Sequence, residues 1–363
     1  MLKMLWTSEY DEDFEAKLKK VVDLKRAGFN VHGRHKEWMS EDEVDAALDG
    51  IDIFFVGYDP ITERVLKNHP ELKLILSVRD GPEENIDLKA CEAYGVPVLN
   101  SAGRNSASVA ELTFGLILNM ARPMIQVASS IWRDKFNDDN FQELRNICTK
   151  GPCASTALAG KTFGIIGLGK NGKRLATIGQ GFQMNVIAYD PFISAEDMKK
   201  LNVTKYELND LMAKADYISI MARVTKDNEG LVGKEQIDLM KPTAAIVNTA
   251  RAKLMDTDAL VQALNENRIR MAALDVFEKR PPHDDLPDDS KYYTVKDHRL
   301  ILTNHMAGFC LERTQFQNEI AYSNLEEFIN GEELTNNCTK NVFDSPAFKE
   351  RGGILYGSRS INF

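Results

Sequence analysis

Apolar residues in this chain gather into short runs separated by longer mixed stretches. In the first hundred residues the runs are 52–56, 74–78 and 96–99, each of the length and composition of a buried strand. Stretches with a helical mix of apolar and polar residues, 61–68 and 88–94, lie between them. Strand and helix in alternation predict a parallel sheet. A second series begins at 163–166 and continues through 185–189, 217–221, 244–248, 271–275 and 300–303, with helix-like stretches such as 173–181 and 256–265 between them. The two series are well separated, so the pattern predicts two α/β domains with parallel sheets.

Between the series, 108–122 (SVAELTFGLILNMAR) is a strong helix. Ser108 with Glu111 three residues on predicts a capping box, and an apolar surface nearly all round predicts burial. Three settings fit it equally: a core helix, a link between domains, or a subunit interface. Residues 137–155 are irregular and predict a surface loop, and 281–290 (PPHDDLPDDS) a solvated one. A helix is expected over 311–330 and a loosely ordered tail over the last thirty residues. The chain shows no internal repeat or low-complexity tract.

Charge narrows the function. Forty-five basic against fifty-four acidic residues give −9, with no basic block to follow a nucleic acid backbone. The opening MLKMLWTSEYDEDFE has too short an apolar run for a signal sequence, and no run reaches membrane-spanning length. Five scattered cysteines (91, 148, 153, 310 and 338) have no metal-ligand spacing. These features lead us to expect a cytoplasmic protein with reduced thiols, no bound metal, and no nucleic acid or membrane partner.

The chemistry begins at 161–191, KTFGIIGLGKNGKRLATIGQGFQMNVIAYDP. A strand is followed at once by Gly167-x-Gly169-x-x-Gly172, then a helix, a second strand, and Asp190 eighteen residues past Gly172. The first glycine makes a tight turn, the second lets the backbone approach a pyrophosphate, and the third lets helix and strand pack closely. The start of that helix offers free N–H groups and the positive end of its dipole, which attract phosphate. Asp190 is placed to accept from an adenosine ribose and to repel a 2′-phosphate, which favours NAD over NADP.

In open α/β sheets, ligands bind at the carboxyl ends of the strands. Thr249, Ala250 and Arg251 follow the 244–248 strand, Asp275, Glu278 and Arg280 follow the next, and Asn304 and His305 follow the last. An arginine can hold a carboxylate and polarise a carbonyl, and a histidine can exchange a hydroxyl proton near neutrality. That set suits hydride transfer to a 2-keto acid.

The stretches NSASVAELTFGLIL, GKTFGIIGLGKNG, NTARAKLMDTDAL, AALDVFE and ILTNHMAG resemble, in order, the signatures of the D-isomer-specific 2-hydroxyacid dehydrogenases, over about residues 50–330. The resemblance implies two Rossmann-like domains with an active-site cleft between them: residues 1–104 completed by 310–363 as the substrate-binding domain, and 105–309 as the NAD-binding domain. It implies a homodimer to which the 108–122 helix contributes. It also implies NAD as cofactor, with Gly167, Gly169, Lys170, Asn171, Gly172, Asp190, Thr249, Ala250, Asp275 and Gly308 around it, and Asp275 against the nicotinamide. Arg251 takes the place of the substrate-binding arginine and His305 that of the acid/base histidine. The loop 79–85, with Asp80 and Gly81, takes the place where backbone N–H groups bind the substrate carboxylate.

One departure stands out. The family usually carries DVFExEP, and here the run is DVFEKRP, so Arg280 stands where the glutamate that pairs with the histidine is expected. Three consequences are open: Glu278 replaces the missing partner, Arg280 binds an extra anionic group on the substrate, or catalysis is weakened or lost. Ala252 for glycine, Asn304 for proline, and Asp80-Gly81-Pro82 in a loop usually richer in glycine are smaller departures. The expected activity is NAD-dependent oxidoreduction of a small D-2-hydroxy acid. The alternative is an NAD(H)-binding sensor or interaction protein with weak or no turnover.

Overall fold

A computed structural model of the chain describes residues 1–32, 38–134, 141–277 and 290–350. The chain divides into two units, Met1–Arg104 with Cys310–Phe363, and Asn105–Phe309.

The first unit is built on a parallel sheet of β1 (Lys3–Trp6), β2 (Asp23–Arg26), β3 (Ile53–Val56), β4 (Leu74–Ser77) and β5 (Val98–Asn100) in the order β2-β1-β3-β4-β5. Every residue of β3 and β4 is buried, because helices cover both faces. Phe55 and Leu76 point to one face, with Trp6, Phe14, Leu325 and Phe328. Phe54 and Ile75 point to the other, with Val44, Leu66 and Cys91. The helices start on side-chain caps: Asp11, Ser40, Thr62 and Asp87 each accept an N–H of the first turn. β1, β2 and the helices Glu12–Leu18 and Glu41–Ala47 add to the runs legible in the sequence.

The expected loose tail is corrected as far as residue 350. Asn337 bridges Leu99, Cys338 N donates to Val98 O at 2.8 Å, and Thr339 Oγ1 accepts Val98 N at 3.1 Å. Thr339 and Val342 are fully buried. A polar run (TNNCTK) gave no strand signal, since backbone and hydroxyl bonds hold it rather than an apolar face.

The second unit carries a seven-stranded parallel sheet: β6 (Thr162–Ile166), β7 (Asn185–Tyr189), β8 (Thr204–Lys205), β9 (Tyr217–Ile220), β10 (Ala245–Asn248), β11 (Met271–Leu274) and β12 (Leu300–Leu302). The order is β12-β11-β10-β9-β6-β7-β8, so the direction of winding reverses between β6 and β9. This is the doubly wound arrangement, with its ligand crevice expected at that reversal. The α/β class with two parallel sheets holds.

The long helix is Ser106–Ala121. Its cap residue is Asn105, with no side-chain cap bond, and Ser108 sits inside the first turn with its hydroxyl donating to Asn105 O at 3.0 Å. The capping box is therefore not formed, and Glu111 is exposed. Within this unit the helix is a core element: Phe114 meets Phe163 edge-on, and Ile117, Met120 and Ala121 are fully buried. The expected loop over 137–155 is also corrected. Its described part holds the helix Phe141–Thr149 and a buried Cys153 whose thiol donates to Asp297 O. Helix-forming FQELRNICT outweighs the loop signal of the flanking glycine and proline.

Candidate functional site

The glycine turn sits on the reversal between β6 and β9. Gly167 follows Ile166 with φ +96°, and a Cβ there would lie 2.6 Å from Ala222 N, just past β9. A side chain is excluded both by conformation and by the neighbouring backbone. A Cβ on Gly172 would lie 2.2 Å from Gly167 O, so this glycine lets the helix seat against the turn. Gly169 differs. It caps the twelve-residue helix Lys170–Gly181, and among the described residues nothing lies within 4 Å of its Cβ position, which leaves open ground above the helix start. Lys170 is exposed and Asn171 half-buried in the first turn. A phosphate group can approach this backbone, and no described residue fills the place.

Asp190 closes the motif at the end of β7. It is 9% exposed, and its two carboxylate oxygens accept Leu168 N at 2.8 Å and Phe192 N at 2.9 Å. It therefore braces the glycine turn, while each oxygen keeps a lone pair for a ribose hydroxyl.

Three neighbouring strands bring the remaining second-unit residues to the same edge of the sheet. At the end of β10, the buried Asn248 accepts Ala250 N at 3.0 Å and donates to Arg251 O at 3.0 Å. Thr249 shares a 2.7 Å hydrogen bond with Thr113, whose own proton goes to Val109 O, so Thr249 is the donor. Arg251 is exposed on extended backbone, with Nη1 donating to Ala250 O at 2.7 Å.

At the end of β11, Asp275 is fully buried. Its Oδ1 accepts Thr303 Oγ1 at 2.6 Å and Met306 N at 2.9 Å, and its Oδ2 accepts Ala307 N at 2.9 Å. These bonds define the turn after β12, in which His305 is half-buried with the left-handed φ of +58°. Asp275 thus shapes the turn that carries the histidine. Sequence reasoning missed Asn248, Thr303 and Thr113 in this frame. Their signal was only polar residues at strand ends and on an apolar helix. Gly308 faces Asn105, whose Nδ2 would stand 2.9 Å from a Cβ. Glu278 and Arg280 lie outside the described residues.

In the first unit, the loop after β4 holds Asp80 and Gly81. Asp80 Oδ1 accepts Gly103 N at 2.9 Å, and Asp80 O accepts Asn100 Nδ2 at 2.9 Å. Arg79 pairs with Glu84 and lies over the Tyr58 ring. Among the described residues no acceptor takes the Asp80 or Gly81 N–H.

Residues 114–307 match the family model for the D-isomer specific 2-hydroxyacid dehydrogenase NAD binding domain. D-3-phosphoglycerate dehydrogenase of Methanocaldococcus jannaschii is 36% identical over 286 residues, 78% of this chain and 50% of that one. The chain thus spans about half the length of that relative. Glyoxylate reductase of Thermococcus litoralis is 30% identical across 79% of this chain and 83% of its own. Among solved structures, D-lactate dehydrogenase from Aquifex aeolicus, complexed with NAD and lactic acid, superposes with a TM-score of 0.67 at 27% identity, covering 93% of this chain and 99% of that one. With the glycine turn at the sheet reversal and the order of motifs along the chain, these matches lead to one conclusion: this chain belongs to the D-isomer specific 2-hydroxyacid dehydrogenase family, and its cofactor is NAD.

Proposed function

We propose that the protein is an NAD-dependent oxidoreductase acting on a small D-2-hydroxy acid or its 2-keto counterpart. The observation that carries this is the Asp275 carboxylate. Its three hydrogen bonds fix the turn of His305, with the one strand β11 between it and the strand whose loop presents Arg251. Bound at the glycine turn, the nicotinamide cofactor supplies or accepts the hydride at C2. Arg251 receives the substrate carboxylate and draws electron density from the C2 carbonyl. In reduction, protonated His305 gives its proton to the C2 oxygen as the hydride arrives. In oxidation, neutral His305 removes that proton as the hydride leaves. The free N–H groups of Asp80 and Gly81 are proposed as further carboxylate donors. The relatives' names point to two- and three-carbon substrates, with or without a phosphate.

We also read the protein as a cytoplasmic homodimer. Trp132 at 87% exposure, with Met124, Ile125 and Phe141 also exposed on the second unit, supports a self-association surface. All five cysteines are free, as in a reducing compartment.

The test is NADH oxidation against glyoxylate, pyruvate, hydroxypyruvate, oxaloacetate, 2-ketoglutarate and phosphorylated analogues. His305→Ala is expected to lower kcat by about 10²–10⁴ while NADH still binds. Undiminished turnover in His305→Ala would sink the assignment. Absence of turnover by the wild type with NADH bound would favour a cofactor-sensing role.

A further inference from the structure

The second unit has a cavity on the edge of its sheet opposite to Arg251 and His305. It lies where the chain enters β6, β9, β11 and β12, and its volume is about 360 Å³, within the range of small-molecule sites. The walls carry three cations (Lys161, Arg270 and Arg299) against one carboxylate, Asp216. That carboxylate is already engaged, by Lys241 at 2.9 Å and by Thr162 N at 2.8 Å.

Both guanidiniums are buried, Arg270 at 9% and Arg299 at 4% exposure. Arg270 Nε donates to Pro152 O and Nη2 to Met120 O and Ala154 O, all at 2.8 Å. Arg299 donates to the carbonyls of Leu264, Ile269 and Arg270 and to Asn267 Oδ1. Among the described residues no carboxylate bonds either group, and Asp297 acts on Arg299 only through space. Carbonyls satisfy the N–H groups without supplying a directly paired carboxylate, an expensive arrangement at this burial.

A proton count points the same way. Arg270 Nη1 donates at 3.3 Å to Thr156 Oγ1 and at 3.2 Å to Tyr217 OH, and these two hydroxyls are 2.6 Å apart. One hydroxyl proton bridges the pair. The second has no acceptor among the described residues, although both hydroxyl residues line the cavity and Tyr217 is 2% exposed. The Lys161 ammonium likewise donates no hydrogen bond among the described residues. A water molecule would satisfy the stray proton but not the charge.

We propose that this cavity is an oxyanion site, taking the phosphate or carboxylate group of a small ligand on Lys161 and the Thr156–Tyr217 hydroxyl pair, within the field of Arg270 and Arg299. Occupancy would tie the 151–156 segment to the starts of β6 and β9. The probe is inorganic phosphate, titrated calorimetrically into the full chain saturated with NAD, at fixed ionic strength against chloride. Saturation removes the anion site at the start of the Lys170–Gly181 helix from the count. The wild type is expected to take up one phosphate that Lys161→Glu does not. Tyr217→Phe is expected to bind that phosphate about tenfold more weakly. Lys161→Glu should keep its NAD affinity. Equal phosphate uptake by wild type and Lys161→Glu would overturn the proposal, and so would a wild type that distinguishes phosphate no better than chloride.

Discussion

The turn after β6 and the loop after β4 both present backbone N–H groups at the carboxyl end of a parallel strand, yet they are held in place by different physics. The first is set by exclusion. Gly167 has φ +96°, and Gly172 comes so close to Gly167 O that a Cβ would stand 2.2 Å away. The second is set by attachment. Gly81 has φ −118°, and among the described residues a Cβ there would meet only the Glu83 side chain at 3.4 Å. What holds that loop is the side chain of Asp80 on Gly103 N and the Asn100 amide on Asp80 O. Exclusion writes itself into the sequence as obligatory glycines. Attachment through a bond to a residue some twenty positions away leaves no local pattern.

The largest effect expected from this contrast is at Gly172. Gly172→Ala should destabilise the protein by more than about 2 kcal/mol and remove NAD binding, because neither Gly167 O nor the helix can give way. Urea unfolding and NADH fluorescence titration would show it. Asp80→Ala comes next, at about 1 kcal/mol for the lost bond to Gly103 N, with a raised KM for the 2-keto acid and an unchanged kcat. Its partner variant, Gly81→Ala, should fall within about 0.5 kcal/mol of the wild type. A Gly81→Ala as damaging as Gly172→Ala would break the comparison.

The smallest expected effect is a slope with pH. Asp59, after β3, is fully buried and accepts Thr7 Oγ1 and Met39 N. Burial pushes its carboxyl above the usual range, ahead of the lowering by those two bonds. A raised folded-state pKa means that the folded chain holds this proton more tightly than the unfolded chain. The contribution is therefore fully present below the ordinary aspartate value and is lost as pH rises through the raised one. Asp59→Asn cannot ionise and can still reach both partners. Its stability relative to the wild type should rise across that window and then level off, as read from urea midpoints at a series of pH values. Parallel curves for the two proteins would refute the assignment.

The sheets and the cofactor motif were legible because strands covered on both faces must be apolar throughout. That is what 52–56, 74–78, 163–166 and 244–248 display. Thr162–Ile166 and Asn185–Tyr189 emerge within a residue of the expected bounds for the same reason. Edge elements were less legible. β2 alternates exposed and half-buried residues, and residues 334–342 are pinned by backbone bonds to β5. At the site, Arg251 and His305 could be found from their places after strands. The support beneath them could not, because Asp275 reaches Thr303 and Asn248 reaches around a turn of its own chain, and neither link has a sequence period.

The first unit is assembled from two stretches that flank the second unit in the sequence. The helix Arg313–Asn330 supplies Leu325 and Phe328 to the face that also holds Trp6 and Phe55, and Asn337 extends the sheet beyond Leu99. During synthesis, the five strands of that sheet emerge long before the helix that covers them. The whole second unit, contiguous from Asn105 to Phe309, must be translated in between. The second unit can close on the ribosome, while the first must wait with one apolar face covered only in part, by the helix Glu12–Leu18, where chaperones and premature aggregation compete for it. The order of birth of these two units is therefore the reverse of their order in the sequence.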